Sequence, residues 1–238
     1  MHLPLARTRA KVIHKVKGFI FDVGRFQSMV DLREKHLLED SMGFRGQWDE
    51  HRRFQIEMLK GQGLKPYHDF LEIGCGPLTV AIPLIDYLEP NRYTGVDVRS
   101  SVLDLSWKEV GKAELSSKNP RLICSSSFAS SELSDQRFDM IYSFSVLYHL
   151  SDDILDTYFA SISNRLRPSG FCIANVNTHI PSDKWLQFPF LMRSIEAYEN
   201  LASKHGLEMI DLGTLEDNGF RNQAAEKLNP LLKFQPKR

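Results

Sequence analysis

Short apolar runs alternate with amphipathic stretches along most of this chain of 238 residues. Short apolar runs are typical of buried strands, and apolar positions at helical spacing are typical of helices. The pattern predicts strands at residues 68–73, 92–97, 120–124, 137–143, 170–176, 206–212 and 230–235. It predicts helices at residues 47–60, 77–87, 100–114, 151–166 and 192–204. Strands separated by helices in this way indicate an α/β fold, with a parallel sheet that helices cover on both faces.

The two ends of the chain depart from this regular alternation. The last predicted strand follows the one before it after residues 213–229, a connection short enough for an antiparallel pair at the sheet edge. At the other end, we expect an N-terminal basic, helical extension at residues 1–43, followed by a single domain at residues 44–238. Five Lys or Arg residues and no acid lie between Met1 and Phe21, which suits either peripheral contact with a membrane or a helix packed on the domain.

Composition narrows the class of protein only a little. Apolar residues make up 42% and charged residues 25%, as in ordinary soluble domains, and the formal net charge is zero. A zero net charge gives no general attraction to nucleic acid, so we expect no nucleic-acid partner. The three cysteines are widely spaced, which suggests reduced thiols in a cytoplasmic protein, with membrane association left open through the basic extension.

The most informative segment is Phe70-Leu71-Glu72-Ile73-Gly74-Cys75-Gly76-Pro77. An apolar run ends there in an acid, two glycines flank a single residue, and a helical pattern follows. Glycine lets the backbone approach an extended ligand because it has no Cβ. Asp97 follows Gly76 by 21 residues at the end of the next apolar run, where a carboxylate can hold ribose hydroxyls. The two features together predict a site for a nucleoside-containing cofactor.

A nicotinamide-dependent oxidoreductase is one class that binds such a cofactor, and two features argue against it. The turn continues through Pro77 and Leu78 without the third glycine that this class uses for close packing of helix on strand. The chain also contains no Tyr-x-x-x-Lys pair for hydride chemistry. We therefore treat the oxidoreductase as an alternative and not as the main prediction.

Four blocks of sequence, in order, resemble the class I S-adenosylmethionine-dependent methyltransferases, especially the small-molecule branch. They are Phe70–Gly76, Tyr93–Val98, Phe138–Leu150 and Leu166–Phe171, and Ala202–Leu207 resembles the entry into that family's sixth strand. The resemblance covers about residues 65–212. It implies a Rossmann-like sheet of seven strands with the seventh strand antiparallel, and residues 230–235 fit that last strand.

The resemblance also implies S-adenosyl-L-methionine as the cofactor and S-adenosyl-L-homocysteine as the product. In that family the glycine turn contacts the methionyl part, and the acid after the second strand accepts both ribose hydroxyls. Glu72 would lie near the ammonium group or be held by the turn amides. Ser127 stands where the family often has an acid beside the adenine, so the main chain of Phe128 would take over that role. The implied cofactor-binding residues are Glu72, Gly74, Cys75, Gly76, Asp97, Val98 (on the adenine), Ser127, Phe128, and Ser143 and Phe144 (on the methionyl side).

His149 is the candidate catalytic residue. It lies in the third block, where many relatives carry a histidine near the transferable methyl, and an imidazole there can remove a proton from a hydroxyl or amine. The alternative is a packing or capping role before Ser151. Two segments, 42–51 and 177–185, belong to the parts that vary in such folds, and they supply the substrate-binding candidates Phe44, Trp48, His179 and Trp185. A core role explains Phe44 and Trp48 equally well. Trp185, Phe188 and Phe190 form an aromatic group that would either line an acceptor pocket or bury the second variable segment.

These observations predict a methyltransferase that acts on a hydroxyl or amine of a small molecule, a sugar or a lipid-linked acceptor. Methyl transfer needs no metal, and we expect none. A cofactor-binding subunit without turnover is a second alternative, beside the oxidoreductase.

Overall fold

The computed structural model describes residues 48–78, 81–126, 133, 136–185, 188–221 and 225–237. Residues Glu50–Arg238 form one compact unit. The helices are α1 (Trp48–Gly61), α2 (Ala81–Tyr87), α3 (Ser100–Lys112), α4 (Asp152–Arg165) and α5 (Ile195–Lys204). The strands are β1 (Phe70–Ile73), β2 (Tyr93–Asp97), β3 (Arg121–Cys124), β4 (Phe138–Ser143), β5 (Leu166–Asn175), β6 (Asp183–Trp185), β7 (Phe188–Phe190), β8 (Leu207–Thr214) and β9 (Pro230–Pro236). The expected extension at 1–43 lies outside the described residues.

Seven strands form one sheet in the order β3-β2-β1-β4-β5-β9-β8. The strands from β1 to β5 pair in parallel, and β9 runs antiparallel to both of its neighbours, β5 and β8. This arrangement confirms the expected Rossmann-like sheet with an antiparallel seventh strand.

Every residue of β1 and β2 is buried, as in a parallel sheet that is covered on both faces. Phe70 and Leu71 belong to two different apolar clusters, because successive side chains of a strand point to opposite faces. The Phe70 cluster includes residues of α1, α2 and α3, and the Leu71 cluster includes residues of α4 and α5. Among the described helices, α1, α2 and α3 therefore cover one face of the sheet, and α4 and α5 cover the other.

Two differences from the predicted elements concern β5 and the segment that follows it. The strand β5 begins at Leu166, earlier than predicted, because Leu166 already pairs with Phe138 across a bulge before regular pairing resumes at Phe171. After β5, the strands β6 and β7 form a separate antiparallel pair, which the sequence pattern did not indicate.

The carboxyl ends of β1, β2, β4 and β5 meet at one edge of the sheet, which is where ligands bind in open parallel sheets. Within the described ranges, no helix combines the length and apolar character that a membrane crossing requires.

Candidate functional site

The turn after β1 is fixed by main-chain hydrogen bonds to β2. The amides of Gly74 and Cys75 donate to the carbonyl oxygen of Val96 at 2.8 and 3.0 Å. Gly74 has a φ of 77° and Gly76 a φ of 53°, in the left-handed region that glycine adopts without steric cost. A Cβ on Gly74 would collide with Cγ2 of Val146, so a larger residue here would force the turn or the Val146 side chain to shift.

Leu78 lies two residues after Gly76 and has a strained backbone. Its φ is 57°, and its side chain is fully buried in the cluster formed with α1 to α3. A left-handed backbone costs a leucine roughly 1–2 kcal/mol, and burial of the side chain offsets a cost of that size. Leu78 therefore keeps a left-handed backbone while its side chain joins the core.

Asp97 closes the turn from the side of β2. Its side chain is only 5% exposed, and Oδ2 accepts a hydrogen bond from the amide of Gly76 at 3.0 Å. Its other oxygen, Oδ1, accepts from the amide of Arg99 at 3.0 Å. The structure thus brings the predicted glycine turn and the predicted ribose carboxylate into direct contact.

Arg99 is a site residue that the sequence analysis did not identify. Its Nε lies 3.1 Å from Oδ1 of Asp97, and its Nη2 lies 3.4 Å from Oδ2 of the same carboxylate. The guanidinium carbon also lies 5.9 Å from the centroid of the Phe188 ring in β7. The available signal was an arginine two residues after Asp97. Spacing alone does not show that its side chain folds back onto the Asp97 carboxylate.

Glu72 lies on β1 beside the turn and is almost fully buried. Its Oε2 accepts a hydrogen bond of 2.6 Å from the hydroxyl of Tyr93. Burial raises the pKa of Glu72 to about 8, the Tyr93 hydrogen bond opposes this rise, and the charge of Asp97 adds to it. The turn amides donate to Val96 and Asp97 instead, so the alternative in which they hold Glu72 is wrong.

Gly95 makes room for the contact between Tyr93 and Glu72. It stands opposite Glu72 in the pairing of β1 with β2. A Cβ at this position would lie 3.0 Å from the Tyr93 hydroxyl oxygen and 3.0 Å from the sulfur of Cys75. Burial raises the pKa of the Cys75 thiol well above its usual value, so this cysteine is a protonated packing group in the turn.

Ser143 and Phe144, at the end of β4, have different surroundings. Ser143 is fully buried and its hydroxyl lies 2.9 Å from the hydroxyl of Tyr158 on α4. Any cofactor contact of Ser143 is therefore left to its main chain. Phe144 packs on the opposite face, with its ring centroid 5.2 Å from that of His51 and 6.4 Å from that of Phe54.

His51, on α1, was named only as the last residue of a variable segment and was given no role. It is 6% exposed, and burial lowers its pKa to about 4, so its ring is neutral at physiological pH. One turn further along the helix, the side-chain oxygen of Gln55 accepts a hydrogen bond of 2.5 Å from the hydroxyl of Tyr142. Polar residues at helical spacing within an apolar face were the signal that α1 turns a polar stripe toward the sheet.

His149 lies in the single turn Leu147–His149 after β4 and is half-buried. Its Nδ1 lies 2.6 Å from the carbonyl oxygen of Pro189 in β7. Burial lowers the pKa of His149, and the hydrogen bond to Pro189 works against that shift. The ring is therefore neutral at physiological pH, and its Nδ1–H donates to Pro189, which makes Nε2 the basic nitrogen.

Aromatic rings from β7 and from the neighbouring Tyr148 lie close to His149. The ring centroid of His149 lies 4.7 Å from that of Tyr148, 5.7 Å from that of Phe190 and 6.1 Å from that of Phe188. The predicted aromatic group beyond the second variable segment therefore meets the predicted catalytic residue. We call Tyr148, His149, Phe188 and Phe190 the aromatic cluster.

The other substrate-binding candidates are less informative. His179 is exposed, in a loop that Asn177 closes by accepting from the amide of Ile180 at 2.9 Å. Trp48 begins α1 and Trp185 ends β6, but their side chains lie outside what the structure describes. Phe44, Ser127 and Phe128 lie outside the described residues.

The residues that are described suit the cofactor implied by the resemblance. Gly74 and Gly76 hold the turn in a left-handed backbone, and the carboxyl groups of Glu72 and Asp97 flank it from two adjacent strands. These two groups match an ammonium and a pair of ribose hydroxyls. Val98, just past β2, exposes 52% of its surface and provides an apolar side chain for a base to cover. In the part of the chain that is described, no three or more His, Cys, Asp or Glu side chains are grouped to hold a metal ion.

Comparison with known proteins adds a family and a set of similar structures. Residues 71–172 match the model of a family described as a methyltransferase domain. An S-adenosylmethionine-dependent methyltransferase from Clostridium acetobutylicum ATCC 824 is 14% identical, with a TM-score of 0.66 over 88% of this chain and 100% of that chain. Magnesium protoporphyrin IX methyltransferase from Synechocystis PCC 6803, with bound S-adenosylmethionine, is 11% identical, with a TM-score of 0.60 over 79% of this chain and 80% of the other. The glycopeptide N-methyltransferase MtfA, complexed with S-adenosylmethionine, is 14% identical, with a TM-score of 0.60 over 76% and 92% of the two chains.

Proposed function

We propose that this chain is a class I S-adenosylmethionine-dependent methyltransferase that methylates a hydroxyl or amine of a small molecule, a sugar or a lipid-linked acceptor. The match of residues 71–172 to a methyltransferase-domain model and the shared fold support this proposal. Two structural neighbours are named for magnesium protoporphyrin IX and for a glycopeptide, and neither acceptor is a nucleic acid. The zero net charge supports the same direction, since nucleic-acid enzymes usually present a basic surface. The nicotinamide alternative is set aside because the family match and the antiparallel seventh strand both favour methyl transfer.

The orientation of His149 is the observation that carries the proposal. Its Nδ1–H is committed to the carbonyl oxygen of Pro189 at 2.6 Å, which makes Nε2 the nitrogen that can accept a proton. Burial keeps the ring neutral near pH 7, as a general base requires. A histidine prepared in this way suits acceptors that lose a proton on methylation, namely hydroxyls and amines.

Each part of the site has a defined task in this proposal. S-adenosylmethionine, when bound, supplies a methyl group on a sulfonium sulfur, which is already an activated leaving group. The glycine turn and Asp97 hold the cofactor, and Nε2 of His149 takes the proton that the acceptor oxygen or nitrogen loses. The rings of Phe188 and Phe190 pack against His149 and provide an apolar wall beside it. Much of the rate enhancement then comes from holding the two reactants in line.

The proposal is tested by supplying S-adenosylmethionine with a deuterated methyl group together with a cell extract divided into polar metabolites, lipids and macromolecules. We expect labelled product in the polar or the lipid fraction. A label found only in protein or nucleic acid would refute the proposed acceptor class. Cofactor binding without label in any fraction would instead indicate the subunit without turnover.

His149→Ala tests the assigned base. We expect turnover to fall about 100-fold or more, as for loss of a general base, while the Kd for S-adenosylhomocysteine changes less than about twofold. His68→Ala is the matched control, because His68 lies before β1 at the opposite edge of the sheet. Turnover that is unchanged in His149→Ala removes this histidine from the mechanism.

A further inference from the structure

We propose that Arg99 controls access of the cofactor ribose to Asp97, with its guanidinium occupying the ribose-binding positions of that carboxylate until the cofactor displaces it. The inference rests on the assignment of Asp97 to the ribose and goes beyond it, because it gives a role to a residue outside the resemblance. It makes a prediction about binding alone.

Asp97 has a limited number of acceptor positions. An ionised carboxylate offers about four lone-pair positions. In the structure two of them receive main-chain amides, from Gly76 and Arg99, each at 3.0 Å. The other two receive Nε and Nη2 of the Arg99 side chain, at 3.1 and 3.4 Å. The carboxylate is therefore saturated before any ligand arrives.

Of the four donors to Asp97, only the two on the Arg99 side chain can leave. The Gly76 amide belongs to the turn, and the Arg99 amide belongs to the start of α3, so both are held by the backbone. The vicinal hydroxyls of a ribose also provide two donors, so they replace the two guanidinium N–H groups one for one. Ribose and guanidinium then compete for the same pair of positions.

A displaced guanidinium has two places to go, the solvent and the Phe188 ring. The side chain of Arg99 is 26% exposed, whereas that of Asp97 is 5% exposed, so the arginine has a route to solvent and the carboxylate does not. The ring of Phe188 lies 5.9 Å from the guanidinium carbon, within the range of a cation–π contact. Displacement toward β7 brings the cation to the strand whose Pro189 orients His149.

The competing view is that Arg99 only holds Asp97 in its binding orientation. The two views predict opposite signs. Removal of a holding residue weakens cofactor binding, whereas removal of a competitor strengthens it. The sign of the change in affinity therefore decides between them.

The experiment is calorimetric titration of Arg99→Met and the unmodified protein with three ligands. These are S-adenosylhomocysteine, which has no net charge at neutral pH, 5′-methylthioadenosine, and the 2′,3′-dideoxy analogue of the latter. We expect the first two to bind about fivefold more tightly to Arg99→Met, the equivalent of one partly exposed ion pair. The dideoxy analogue should bind both proteins equally, because it does not use the contested positions.

Arg92→Met is the matched control, since Arg92 forms a comparable ion pair with Asp69, at 2.8 Å, before β1. Its ligand affinities should equal those of the unmodified protein. Arg99→Ala provides the same readout if Arg99→Met does not fold.

Weaker or unchanged binding of S-adenosylhomocysteine by a folded Arg99 variant overturns the proposal, as does an equal gain with the dideoxy analogue. If S-adenosylhomocysteine binds neither the variant nor the unmodified protein, the cofactor assignment fails as well. Binding without a gain refutes the role of Arg99 alone.

Discussion

Glu72→Gln replaces a buried group that titrates with a neutral one, while keeping an oxygen that accepts from the Tyr93 hydroxyl. In the folded protein the pKa of Glu72 is about 8, whereas its ordinary value is 4.5. Between these values the unfolded chain has released the proton and the folded protein still binds it. The folded state therefore binds more protons, and the free energy of unfolding must fall as pH rises from about 4.5 to about 8.

The size of this fall follows from the pKa difference. At about 1.4 kcal/mol per pH unit, the contribution of Glu72 decreases by about 3–4 kcal/mol between pH 5 and pH 8 and is constant above that. Such a change is a large share of the stability of an ordinary domain.

Urea denaturation at a series of pH values measures it. Because other groups titrate as well, the decisive quantity is the difference in free energy of unfolding between Glu72→Gln and the unmodified protein at each pH. We expect that difference to move in favour of the variant by about 3 kcal/mol over this range. Glu89→Gln, at an exposed carboxyl, is the control and should give a constant difference. A constant difference for Glu72→Gln too would refute the assignment of a buried, protonated Glu72.

Three further outcomes are expected. Gly74→Ala should destabilise the fold by about 2 kcal/mol or more, because its Cβ would collide with Val146 Cγ2 and the backbone has a positive φ. Gly111→Ala, which has open space around it, is the control and should be neutral or stabilising in the same thermal melts. Asp97→Ala should raise the Kd for S-adenosylhomocysteine about 10- to 100-fold through loss of charge-assisted hydrogen bonds, and an unchanged Kd would contradict its role. Binding of S-adenosylhomocysteine at pH 7 should release close to one proton as its ammonium ionises Glu72, visible as a binding enthalpy that depends on the buffer; Glu72→Gln should show no such dependence.

The sheet was predictable because its strands are short, buried and separated by helices. Apolar runs place the β1 and β2 segments within two residues of their observed ends, and the glycines with Asp97 mark the edge that carries the site. The pair β6 and β7 was not predictable, because three-residue strands show too few alternations to give a period, and Pro189 argues against a strand.

The side-chain partners of Glu72, Asp97 and His149 differ in how far the sequence could predict them. The contact of Glu72 with Tyr93 follows from strand pairing, since Glu72 stands opposite Gly95, two residues from Tyr93 and on the same face. The strand order is therefore enough to predict this contact. The return of Arg99 onto Asp97 depends on a side-chain rotamer, which no spacing rule determines. His149 was identifiable by its position after β4, but the carbonyl that orients it belongs to the unpredicted strand β7.

Titration of S-adenosylhomocysteine into the folded, unmodified protein tests most directly whether the glycine turn and Asp97 form a cofactor site. The account predicts saturable binding of one ligand per chain. A protein that melts cooperatively but gives no heat with this ligand, or with S-adenosylmethionine, would contradict it.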